Sequence, residues 1–74
     1  MQQQIEEVPI ETRLAIIESE LQMWRNERFM QGLRHKMQKR LGGGPDTLKP
    51  IEEMLVKCEG MIDGYELELK SLGK

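Results

Sequence analysis

The sequence predicts an all-α fold: an antiparallel two-helix hairpin, with a long first helix and a shorter second one, assembling into a homo-oligomeric helical bundle. Three observations carry this. A glycine–proline break, Gly42-Gly43-Gly44-Pro45-Asp46, divides an otherwise helical chain. The segment after it has a single apolar seam. The segment before it has two.

The break is the firmest of these. Glycine loses the most backbone entropy on ordering, and proline lacks an N–H and clashes with the turn before it. No other stretch interrupts helical composition as strongly, so the chain reverses here. The reading is a polar arm over 1–8 and one hairpin domain over 9–74, with helix 1 over about 9–41, a turn over 42–47 and helix 2 over about 48–72. Pro9 suits a first helical turn, and Glu11, Lys39 and Arg40 complement the dipole of helix 1. Asp46 or Thr47 is a candidate cap for helix 2, Pro50 a candidate first residue, and Gly73 its C-terminal cap.

Helix 2 reads most clearly. Ile51, Leu55, Cys58, Ile62, Tyr65, Leu69 and Leu72 alternate spacings of four and three, the signature of coiled-coil-like packing. Leu48 extends the line at the tip. A weaker second line holds Val56, Gly60, Gly64 and Leu67. Its two glycines either weaken or kink the helix or let another backbone approach.

Helix 1 carries Ile16, Met23, Met30, Leu33 and Met37 on one stripe, with Ser19 and Asn26 between them. Reversal at the glycines pairs Met37 with Ile51, Leu33 with Leu55, Met30 with Cys58 and Met23 with Tyr65, so this stripe is expected to form the hairpin seam. The other stripe, Ile10, Leu14, Ile17, Leu21 and Trp24, lies about 150° away. Helix 2 cannot cover both, and residues 10–15 overhang it. The second stripe, with Gly60, Gly64 and Leu67, is therefore expected at an interface between copies, a homodimer or larger, with two hairpins forming a four-helix bundle.

Size and composition favour the same partner. A chain of 74 residues holds one domain, and its core supplies only about 3–5 kcal/mol. One cysteine excludes an internal disulfide, and one histidine beside it gives no four-ligand zinc set. Self-association is the remaining source of stability. No apolar run reaches the length of a bilayer span, the N-terminus has no secretory pattern, and a lone thiol suits a reducing compartment. The expected setting is cytoplasmic, with no membrane partner.

Nothing in the chain composes a catalytic set, and no metal or cofactor is expected. His35 is expected on the solvated outer face of helix 1 and Cys58 as an inert buried thiol. The paired carboxylates Glu6-Glu7 and Glu52-Glu53 are read as solvated charge, since adjacent residues of a helix point in different directions. The glycine run lacks the Gly-Lys-Ser/Thr ending of a phosphate-binding loop. One cluster stands above background: Arg25, Arg28, Arg34, Lys36, Lys39 and Arg40, beside Trp24, against a single acid, Glu27. Its plain reading is charge balance for the acidic second helix. Its sharper reading is a site for an acidic protein surface or a phosphate-containing ligand, such as a nucleotide or nucleic-acid backbone, with Arg25, Arg28 and Lys39 around a low spot at Gly32.

Two functional expectations follow. The first is a non-enzymatic oligomeric binding protein, an adaptor, assembly factor or inhibitor that works by occupying a protein partner. The second is a protein that sequesters or recognises a phosphate-rich ligand at the basic, Trp-flanked surface.

Overall fold

The computed structural model describes residues 8–73. The polar arm expected over 1–8 lies outside them except for Val8. Two helices, α1 (Ile10–Arg40) and α2 (Pro45–Ser71), pack against each other, and no strand occurs among the described residues. Extents of 55 × 25 × 15 Å make the hairpin one helix thick, so each helix keeps its far side uncovered.

The turn is tighter than expected. Helix 2 begins at Pro45, inside the segment assigned to the turn over 42–47, and only residues 41–44 separate the helices. Gly42 adopts φ +81, where a side chain would be strained. Its N–H donates to the Lys39 carbonyl at 3.0 Å, while the Gly43 N–H reaches back to Gln38 at 2.7 Å. These two bonds are the pattern of a Schellman cap, which uses carbonyls that the end of α1 would otherwise leave unpaired. A Cβ at Gly43 would lie 2.9 Å from the Gln38 carbonyl oxygen, so this backbone approach needs glycine.

Gly44 is the N-cap of α2, and Pro45 opens the helix with its fixed φ. Neither Asp46 nor Thr47 caps it with a side chain. The Thr47 and Leu48 N–H groups donate to the Gly44 carbonyl instead, both at 3.0 Å. Pro50 is not the first residue but lies within the helix, which costs the bond that its N–H would have made to the Asp46 carbonyl. At the other end Gly73 takes φ +86 beyond the C-cap Leu72, as expected. Pro9 precedes α1 as its N-cap in extended backbone.

The inward line of α2 is the one its spacing predicts. Cys58 is 0% exposed and Ile62 4%, and Leu48, Ile51, Leu55, Tyr65, Leu69 and Leu72 are half-buried. Both glycines sit in an unbroken helix, exposed, with no atom within 4 Å of an added Cβ.

The faces of α1 are exchanged relative to expectation. Leu21 is 3% exposed, and Leu14, Ile17 and Trp24 are half-buried, so the stripe assigned to the subunit interface packs within the hairpin. The stripe assigned to the hairpin seam points outward, with Ile16, Met23, Met30, Leu33 and Met37 between 41% and 54% exposed. The physical reason lies away from the tip. There the Leu14–Trp24 line is continuous, bulky and apolar, whereas the alternative would put Ser19 and Asn26 against helix 2. A helix turns as a rigid unit, so this choice also fixes the tip, where Gln31, His35 and Gln38 are drawn inward. Across from Cys58, therefore, stands Gln31 (6% exposed) rather than Met30. The Gln31 Nε2 donates to the Glu27 carboxylate at 2.7 Å, which gives the buried amide a partner.

Candidate binding surfaces

The basic segment of α1 is not assembled into one site. Arg25 meets Glu66 of α2 at 2.9 Å, a half-exposed pair that water screens strongly. Trp24 turns toward α2, where the Lys57 ammonium lies 5.8 Å from its ring centroid. The two residues expected to hold an anion and stack on it are thus engaged within the hairpin. His35 faces α2 rather than solvent, and its Nε2 lies 2.8 Å from a Glu52 carboxylate oxygen. Arg28, Arg34, Lys36, Lys39 and Arg40 make no ion pair among the described residues. At about 100° per residue, Arg34 points well away from the side shared by Arg28, Lys36 and Lys39. The low spot at Gly32 is real, but Phe29, Leu33 and Lys36 line it with Gly32, not Arg25, Arg28 or Lys39.

Of the residues assigned to an interface between copies, Leu14, Ile17, Leu21 and Trp24 are used by the hairpin, while Ile10 and Leu67 stay exposed. Gly60 and Gly64 line a shallow groove with Met61, Tyr65 and Glu68. A second cleft, lined by Met23, Trp24, Glu27 and Met54, runs between the helices on one side.

The largest uncovered apolar feature is the outer face of α1. Thr12, Ile16, Ser19, Met23, Asn26, Met30, Leu33 and Met37 continue without a miss at spacings of four and three. All are exposed. Phe29 beside them is 68% exposed. This surface was visible in the sequence as a stripe, but it was assigned to the hairpin seam, whereas it points outward.

The one thiol belongs to the core. Burial raises the Cys58 thiol above its ordinary pKa of 9.0, the nearby Glu27 charge adds to this, and Arg28 and Lys57 oppose it. No three His, Cys, Asp or Glu side chains among the described residues are grouped as a metal site would need, and no described helix is long and apolar enough to cross a membrane. No protein-family model, curated protein or solved structure matches the sequence.

Proposed function

We propose that this chain is a small, non-enzymatic binding protein that self-associates through the outer face of α1 and acts by occupying a protein partner. One observation carries the reading. Among the described residues the seam fully buries only three apolar side chains, Leu21, Cys58 and Ile62, while five at heptad spacing stay about half exposed on the opposite side of α1. Full burial of such a side chain contributes about 1.5–3 kcal/mol, so covering the exposed half of five of them would add several kcal/mol. A role as adaptor, assembly factor or inhibitor fits a surface built for packing and a chain without a catalytic set.

Light scattering with sedimentation tests this. The wild-type protein is expected at twice the chain mass or more at micromolar concentration. Met30→Glu is expected to be monomeric with its helical circular dichroism retained, because Met30 touches the outer face and not the seam. A wild-type protein that melts cooperatively as a monomer would sink the proposal.

The unpaired cations at the tip end favour a second reading, recognition of a phosphate-rich ligand near Lys36, Lys39 and Arg40. Copurified material with the ultraviolet absorbance of nucleic acid, released by salt, would select it over the first.

A further inference from the structure

We infer that two copies pair through the outer faces of α1 in antiparallel orientation, with the two-fold axis passing between Phe29 and its copy. This rests on the self-association proposed above and adds the occupant of the face, its direction and its register.

The argument is electrostatic complementarity along a fixed seam. In a coiled coil the residues flanking the apolar positions decide partner orientation. Parallel, in-register pairing would set Gln22 by the partner's Glu27, Phe29 by the partner's Arg34 and Lys36 by the partner's Leu41. None of these is a pair of opposite charges. In antiparallel packing, the alignment that opposes Ile16 and the partner's Leu33 brings Glu20 against the partner's Glu27, a repulsion repeated by symmetry.

Sliding one heptad removes that conflict. Met23 then opposes the partner's Leu33, and Met30 the partner's Asn26. Glu20 meets the partner's Arg34 twice, once on each side of the axis. Neither Glu20 nor Arg34 has an ion pair among the described residues, and both flank the seam on the same side. Phe29 meets its own copy at the axis, which gives an otherwise unexplained exposed ring an aromatic partner. Glu27 also approaches its copy, but its carboxylate is turned toward α2 and held by Gln31 at 2.7 Å. A further heptad of sliding would carry Ile16 past the end of the partner's α1 and set Met23, in place of Ile16, against the partner's Arg40.

Cross-linking reads the register directly. In a Cys58→Ala background, checked for retained helicity, Phe29→Cys is expected to give mostly covalent dimer with a short bismaleimide, and Ile16→Cys to stay monomeric. Equal cross-linking of both variants would show parallel pairing and overturn the inference. Cross-linking of neither, in a protein whose mass is still oligomeric, would also overturn it while leaving self-association standing. A monomeric wild-type mass would overturn both. Charge exchange supplies the second measurement: Glu20→Arg is expected to weaken dimerisation by about tenfold, and Glu20→Arg/Arg34→Glu to restore it. Failure of the double variant to recover would exclude this register.

Discussion

Leu21→Ala is expected to destabilise the hairpin by about 2–5 kcal/mol, enough to unfold much of a chain this small. Leu21 is 3% exposed, and no second layer exists to collapse into the space its side chain leaves. Leu33→Ala removes the same atoms from a side chain 41% exposed, so its cost should stay below about 1 kcal/mol. Both are best compared in the Met30→Glu background, where association does not contribute, by urea unfolding followed through helical circular dichroism. Equal losses, or a larger loss at Leu33, would mean that α1 packs on α2 with the other face. The comparison therefore tests the rotation of α1 by itself, whatever the protein binds.

The second large effect is expected at Cys58. With its thiol fully covered, labelling by a thiol reagent requires the hairpin to open. The native protein should thus react about a hundredfold or more slowly than the urea-unfolded chain. The raised pKa gives this a pH dependence. Unfolded, the thiol ionises near its ordinary value of 9.0; folded, it ionises higher. In between, only the unfolded state has lost its proton. The stabilising contribution is therefore complete below the ordinary value and is lost as pH climbs toward the folded one. Urea midpoints for wild type should fall between about pH 7 and about pH 10 by more than those of Cys58→Ala, whose slope reports the remaining groups. Rapid native labelling together with parallel slopes would place the thiol outside the core.

What the sequence made legible follows from how many faces each helix offers. The break at Gly42–Gly44 could not continue a helix, and α2 has one apolar line of bulky residues, so both the reversal and the seam of α2 were readable. In α1, periodicity cannot choose between two lines of equal regularity, because turning a helix about its axis changes no spacing and no register along the chain. The arbiter lies in the flanks. Only the observed rotation brings Arg25 to Glu66 and His35 to Glu52, and a search for cross-helix charge pairs would have favoured it. The basic cluster failed as a single site for the same reason. Arg25 and Trp24 sit beside the true seam, where their nearest partners are Glu66 and Lys57 of α2.

The polar inner line at the tip bears on how the molecule forms. Near the glycines, α1 offers Gln31, His35 and Gln38 to its neighbour, whereas the apolar grip of Leu14, Ile17, Leu21 and Trp24 lies at the open end. A hairpin ordinarily closes from its turn, gaining contacts as the loop between them stays short. Here the best contacts join segments far apart in sequence, so most of the loop entropy is lost before the strongest interactions form. Closure is therefore expected to depend on contacts made at the far ends rather than on a zipper started at the glycines. The turn decides where the helices meet, and the distant end decides when.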